Sequence, residues 1–405
     1  MRFLEVSMND SCSLQFILIL SYPLLMADFS QSSTISITCP KGITPYLEQE
    51  LIALDFPIVK KRLAGIETKG TLNDCMLLNL SLSTAHRVHY QIKHFTCNNA
   101  DELHEEVISI PWENYIDKHG YVSITSFIKN KSITNTQFAN LKVKDAIVDR
   151  IRRTRGTRPD SGPNLNKSVV FLFWKGNQAT IYLDTSGESI SRRGYKVDNH
   201  TASMQETLAS AIILAGKWEP DQHFINPMCG SGTLAIEAAL KALNRAPGQL
   251  RPNYGIKHIL GFDEEVWTKL RSEIKSKNEK ELKARIIATD NDPKAIQAAR
   301  KNAKTAGVEH LIDFEVCDFS ETEVPDGKGV VVVNPPYGDR LGRDEQLDEL
   351  YRSIGDFFKQ KCSGKWGYIF SGNFEMLKKV GLRSNQRIEL YNSTIEARLA
   401  EYELY

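Results

Sequence analysis

Four consecutive valines, Val330 to Val333, run directly into Asn334-Pro335-Pro336-Tyr337. A short, fully apolar, β-branched run of this kind reads as a strand buried on both faces, as in a parallel sheet. Two prolines stop it at once, because proline has no N–H to donate to a ladder. Asn334 and Tyr337 are then held in a stiff loop at the carboxyl end of a buried strand, the edge where open α/β sheets bind ligands. The residue types suit one chemistry. A planar exocyclic amine on a base offers two hydrogens, and the Asn334 amide oxygen and the Pro335 carbonyl are two acceptors. Tyr337 adds a flat face for stacking. Taken alone, the tetrapeptide also fits a plain strand end closed by a Pro-Pro turn over a buried tyrosine.

The rest of the second half repeats strand, loop, helix. His223 to Asn226 is a short strand, followed by Pro-Met-Cys229-Gly230-Ser231-Gly232-Thr and a helix from Leu234 to Leu243. A Gly-rich turn between strand and helix lets backbone approach a ligand and aims helix N–H groups at a negative group, although a lone Gly-x-Gly is usually only a tight turn. Arg285 to Thr289 is a strand ending at Asp290, with Asn291 beside it. An acid in that place can accept both hydroxyls of a ribose. Asp292 and Pro293 read instead as N-cap and first helical residue. Ile312 to Val316 is a third strand, ending in Cys317-Asp318-Phe319. Asp318 could accept from an adenine amine and Phe319 could pack on its ring, with a turn aspartate as the competing reading. A helix from Gln346 to Lys361, a strand from Trp366 to Ser371 and a hairpin (Arg387 to Tyr391, Glu396 to Leu404) complete the series. Four ligand-type loops thus stand at successive strand ends, in the order a nucleoside cofactor and a base substrate need. No Gly-x-x-x-x-Gly-Lys-Ser/Thr occurs, which excludes a P-loop kinase or ATPase.

The first half has a different pattern, α+β with no catalytic constellation. Strands are predicted at Thr34 to Cys39, His89 to Phe95 and Tyr121 to Ile128. Ser168 to Trp174 and Gln178 to Asp184 form a hairpin around Gly176-Asn177. Helices are predicted at Tyr46 to Leu54, with Thr44 as N-cap and Pro45 first, and at Thr71 to Ser83, Ala100 to Ile110 and Val143 to Arg153. A further helix, Ala202 to Lys217, has Thr201 or Ser203 near its start. Charge is informative here. Between Lys129 and Lys196 there are 14 Lys or Arg against 5 Asp or Glu, in a chain of net charge +1. The densest piece is Arg150, Arg152, Arg153, Arg155 and Arg158. A solvated helix end, favoured by the macrodipole, accounts for such a cluster; the breadth of the asymmetry argues equally for a phosphate-binding face.

A chain of 405 residues exceeds one ordinary core, so two or three domains are expected. Its 7 cysteines are odd in number, widely spaced and without a Cys-x-x-Cys pair. Reduced thiols, a cytoplasmic location and no metal site follow as expectations. The apolar run from residue 14 to Met26 is shorter than the roughly 20 residues that span a bilayer. It also lacks the positive flank of a signal peptide. Residues 1–28 are read as a non-native or disordered extension, with Met26 as the working start, and no membrane partner is expected.

Three segments together resemble the THUMP-domain guanine-N2 RNA methyltransferases: Asn-Pro-Met-Cys-Gly-Ser-Gly-Thr (226–233), Ala-Thr-Asp-Asn-Asp-Pro-Lys-Ala-Ile (288–296) and Asn-Pro-Pro-Tyr-Gly-Asp-Arg-Leu-Gly (334–342). Ser-Gly-Asn (371–373), the stretch 390–399, Cys-Pro-Lys-Gly (39–42) and Ile-Pro-Trp-Glu-Asn-Tyr (110–115) extend the likeness over roughly residues 34–405. The members it resembles methylate a guanine of bacterial large-subunit (23S) ribosomal RNA. The resemblance implies a fold of α/β class: a Rossmann-like class I methyltransferase domain at 190–405. An α+β RNA-binding region precedes it, with a ferredoxin-like segment at 34–95 and a THUMP domain at 70–185. It implies S-adenosylmethionine on Gly230, Ser231 and Gly232, with Asn226 and Cys229 in the same loop. Asp290 and Asn291 would take the ribose, Asp318 and Phe319 the adenine. Thr207, in Gln205-Glu-Thr, would line the cofactor pocket. Asn334, Pro335, Pro336 and Tyr337 would hold guanine N2, and the partner would be RNA. One departure stands out: the family usually has Asp where this chain has Asn226. A transfer RNA guanine-N2 enzyme, an adenine-N6 DNA methyltransferase and a non-enzymatic RNA-binding protein are the competing readings.

Overall fold

The computed structural model describes residues 26–131, 133, 135–198, 204–336 and 344–405. The extension expected at 1–28 therefore lies outside the described residues except for 26–28, and so do Thr201, Ser203 and Tyr337. In chain order the first half holds β1 (Ser33–Thr38), α1 (Thr44–Ala53), β2 (Lys60–Arg62), β3 (Gly65–Gly70), α2 (Leu72–Ser81), β4 (Arg87–Thr96), α3 (Ala100–Ile108), β5 (Tyr121–Lys129), α4 (Thr136–Arg155), β6 (Asp160–Ser161), β7 (Ser168–Lys175) and β8 (Gln178–Asp184). The second half holds α5 (Glu206–Ala215), β9 (His223–Pro227), α6 (Thr233–Ala242), α7 (Glu264–Ser276), β10 (Ile286–Asp290), α8 (Pro293–Ala306), β11 (Ile312–Val316), β12 (Gly329–Val333), α9 (Asp344–Lys361), β13 (Lys365–Ser371), β14 (Gln386–Asn392) and β15 (Ile395–Leu404).

These strands make two sheets. The first has the order β2-β3-β1-β4-β8-β7-β5-β6. Strand β4 pairs with β1 on one side and β8 on the other, so the two N-terminal segments share one continuous sheet. The second has the order β11-β10-β9-β12-β13-β15-β14, parallel through β13 and antiparallel in the last two strands. Its order reverses between β9 and β12, the switch point at which doubly wound sheets bind ligands. All five residues of β12 are buried, as an apolar run without alternation requires.

Local signals account for most elements. Thr71 and Asp74 form a reciprocal capping box on α2. Asp292 caps α8, Pro293 is its first residue, and Gly307 closes it in the left-handed conformation. Two caps differ from expectation. Ile43, not Thr44, precedes α1; Thr44 is already helical and its hydroxyl donates to carbonyls of Arg62 and Leu63. Helix α5 begins at Glu206 behind Gln205, later than the predicted Ala202. Strands β2, β3 and β6 and helix α7 were not predicted. β2 is three exposed basic residues with no alternation to read, and α7 buries only Trp267.

The halves are joined by buried polar contacts. Glu237 on α6 accepts from Tyr195 Oη at 2.9 Å and from Ser210 Oγ at 2.7 Å, with Arg193 Nε at 3.6 Å. Arg193 also donates to the carbonyls of Ile190 and Ser83, the latter in the first half. His86, ahead of β4, lies 3.3 Å from the Thr207 hydroxyl on α5. Burial, with Arg193 and Arg87 nearby, pushes its imidazole from the ordinary 6.5 down to about 4. A lowered value means the neutral ring is the folded form. Stability from this site is complete above pH 6.5 and is lost as pH falls toward 4, because the unfolded chain takes up the proton first. The linkage amounts to about 2 kcal/mol by pH 5. Urea midpoints at pH 7.5 and 5.0 are expected to fall further in the native chain than in His86→Gln; equal falls would contradict this.

Candidate active site

The site is the carboxyl edge of the second sheet, where the loops after β9, β10 and β11 stand beside the end of β12. The loop after β9 turns sharply, with left-handed backbone at Met228, Gly230 and Gly232 (φ 56°, 55° and 80°). Two glycines serve different ends. A methyl added at Gly232 would stand 2.9 Å from Ala299 Cβ, so this glycine lets α6 pack on α8. A methyl added at Gly230 would meet no atom within 4 Å. The open space at Gly230 is the cradle that a ligand approaching the backbone needs.

Asp290, at the end of β10, ties the neighbouring loops. Its Oδ2 accepts from Gly230 N at 2.9 Å and its Oδ1 from Asp292 N at 3.0 Å. Cys229 N donates to the Thr289 carbonyl at 2.9 Å. Its thiol is buried, and burial first, then Asp290, raises it well above the ordinary range. Cys229 therefore acts as a neutral filler under the loop. Asp318 is exposed, and its Oδ1 accepts from Ser320 N (2.9 Å) and Oγ (2.6 Å). Phe319 is buried and packs edge-on to Phe357 at 5.9 Å, so one side of its ring is committed to the core. Thr207 is fully buried on α5 and faces His86.

The β12 end carries the most informative atoms. Pro335 is buried and Pro336 exposed. Asn334 Oδ1 is buried and has no hydrogen-bond partner among the described residues. Across the switch point, Asn226 is fully buried and donates from Nδ2 to the Val332 carbonyl at 2.8 Å. That bond fixes the amide, leaving its Oδ1 also buried and unpartnered. A carboxylate could not donate to Val332, which gives the departure at Asn226 a structural consequence. A buried acceptor left without a donor costs about 1–3 kcal/mol, so each calls for a donor from bound water or a ligand. Next to β12, Ser371 Oγ lies 2.6 Å from Tyr351 Oη and accepts from Asn373 N at 3.0 Å, ordering the Ser-Gly-Asn turn.

Asn302 was missed in the sequence. It is fully buried on α8. Its Oδ1 accepts from Val197 N and Asp198 N, both at 3.0 Å, and its Nδ2 donates to the carbonyls of Asp198 (3.0 Å) and Ser231 (3.2 Å). It pins the incoming linker to the Gly-rich loop. The available signal was a polar residue in register with Ala295, Ala299 and Ala306 on the apolar face of α8.

The arginine cluster divides. Arg152, Arg153 and Arg158 are exposed and Arg155 half-buried around the end of α4, which Gly156 closes. Arg150 leaves the set of free phosphate ligands: its guanidinium holds Glu113 with two bonds, Nε–Oε2 at 3.0 Å and Nη2–Oε1 at 2.7 Å. Among the described residues no group of His, Cys, Asp or Glu is placed to hold a metal ion. No helix among them is long and apolar enough to cross a membrane.

Comparison with known proteins finds relatives along most of the chain. Residues 193–401 match the RMKL-like methyltransferase domain, 34–89 the RlmL ferredoxin-like domain and 97–184 the THUMP domain. The chain is 37% identical over 378 residues to a ribosomal RNA large subunit methyltransferase K/L from Syntrophotalea carbinolica, covering 91% of this chain and 53% of that protein. It thus spans about half the length of the K/L relatives it matches. It is 33% identical over 368 residues to a putative RNA methyltransferase from Synechocystis, covering 91% of this chain and 96% of that protein. Among solved structures, a putative methyltransferase complexed with SAH superposes with a TM-score of 0.85 at 26% identity, covering 93% of this chain and 99% of that one.

Proposed function

The chain belongs to the RMKL-like methyltransferase family, and from that premise we propose that it methylates the exocyclic N2 of a guanine in 23S ribosomal RNA, using S-adenosylmethionine. The observation that carries this reading is the unpartnered Asn334 Oδ1 at the end of β12, beside the sheet's switch point and across from the Gly-rich loop.

The cofactor fits the residues present. The open backbone at Gly230, flanked by Ser231 and Gly232, would take its amino acid part, with Asn226 Oδ1 as an acceptor nearby. Asp290 would take the ribose; each of its oxygens accepts one backbone N–H and keeps a second lone pair for a hydroxyl. Asn291 lies beside it, and Asp318 and Phe319 would bound the adenine. When bound, the sulfonium supplies an electrophilic methyl group. The chain's own work is orientation. Asn334 Oδ1 and the Pro335 carbonyl accept the two amine hydrogens, and the two prolines keep both acceptors still. Tyr337 supplies the stacking plane for a base drawn out of its helix. The amine's proton leaves after the new C–N bond forms, so no strong general base is required. With ribosomal RNA as substrate, the location that goes with this reading is the cytoplasm.

The basic end of α4 supplies the sequence-independent grip in this reading. Purified chain with labelled S-adenosylmethionine is expected to transfer label to ribosomal RNA in preference to transfer RNA or DNA; label on DNA alone would overturn the reading. Reversing charge at Arg152, Arg153 and Arg155 together should weaken RNA binding and flatten its salt dependence by roughly two to three in slope. Unchanged binding would remove this surface from the account.

A further inference from the structure

The face of the N-terminal sheet turned away from the core is exposed at its β5 end, while His89 and Tyr182 nearer its middle are buried. On the sheet's other face Ile35, Ile37, Val88, Tyr90, Leu172 and Trp174 are buried in the core. On the outward face Phe127 of β5 and Phe173 of β7 stand opposite each other in register, stacked at 5.4 Å with an 11° angle between rings. Phe127 is 49% exposed. Arg62 then extends the stack, its guanidinium 5.7 Å from the Phe173 ring. This contact is informative about shape. Arg62 lies on β2, five strands from β7 in the sheet order. A flat sheet would separate them by about 24 Å, more than two side chains bridge. The sheet therefore curls its β2 edge over this face and makes a trough.

The other end of the stack is uncovered. β6 pairs with β5 only at Tyr121 and Val122, so among the described residues β5 is an edge strand at Phe127. One step further, Lys129 and Lys175 are directly paired across the strands. Both are exposed, and neither forms an ion pair among the described residues. Like charges placed opposite each other destabilise a sheet, so this pair waits for an anion. Flat rings beside unpaired cations match a base beside its phosphates.

We propose that this trough binds an unpaired RNA segment, one base extending the Arg62–Phe173–Phe127 stack and the neighbouring phosphates lying on Lys129 and Lys175. The proposal rests on the reading of RNA as the partner and adds a surface distinct from the α4 arginines. The test uses the full chain and a fluorescein-labelled oligouridylate eight-mer, without cofactor, measured by anisotropy against a duplex RNA of equal length. The native chain should prefer the single strand. Phe127→Leu with Phe173→Leu keeps apolar bulk but removes the planes, and should weaken binding about tenfold or more with the salt slope unchanged. Lys129→Ala with Lys175→Ala should lower the slope by about 1.4. S-adenosylmethionine binding should be the same in both variants. Unaltered oligonucleotide affinity in the leucine variant overturns the trough, and so does a dimer that this variant converts to monomer without changing RNA affinity. A chain that binds the oligonucleotide in this way yet transfers no methyl group overturns only the enzymatic reading.

Discussion

Asn334→Ala is expected to lose methyl transfer by roughly 10²–10³-fold while binding S-adenosylmethionine within a few-fold of the native chain. It is also expected to unfold at the same or a slightly higher urea concentration. The last expectation separates function from scaffolding. Among the described residues no donor reaches the buried Asn334 Oδ1, so removing it takes away no protein hydrogen bond at that atom. A residue that adds nothing to stability is one kept for what it binds. Single-turnover transfer, equilibrium cofactor binding and urea unfolding on the same preparation check all three. Parallel loss of cofactor affinity and activity would assign Asn334 to the cofactor instead.

The second large effect is on stability. Glu237→Ala leaves Arg193, only 1% exposed, without its carboxylate, and takes the acceptor from Tyr195 and Ser210. Breaking one side of a buried pair costs about 3–5 kcal/mol. Arg193→Ala should cost a similar amount, and the double variant should cost much less than both together, because the groups form one unit. Since Arg193 also reaches the Ser83 carbonyl, the loss loosens the seat of the N-terminal sheet on the second half. Urea unfolding measures each term; losses below 1 kcal/mol in both single variants would contradict the account.

What could be read in advance follows from the range of the interactions involved. The valine run, the double proline and the Asp292-Pro293 start are local signals, and β12 and α8 formed as they require. The positions of the Gly-rich loop and Asp290 at strand ends were legible for the same reason. Partners distant in sequence were not. Glu113 lies 37 residues from Arg150, and nothing near either residue announces the pair that withdraws Arg150 from the basic surface. Asn302 hid in an alanine-rich face because its three partner residues come from two other segments. The trough was hidden twice over, since β2 has no apolar alternation and the curl that brings Arg62 to Phe173 is a property of the whole sheet.

The central claim is that the end of β12 presents an exocyclic amine of guanine for alkylation. Its most direct test is to incubate the purified chain with isotopically labelled S-adenosylmethionine and unmodified 23S ribosomal RNA, digest the RNA to nucleosides, and identify the labelled species by mass. The account predicts label in N2-methylguanosine, absent with Asn334→Ala. Label in N6-methyladenosine, or in a ring-methylated base, would contradict it.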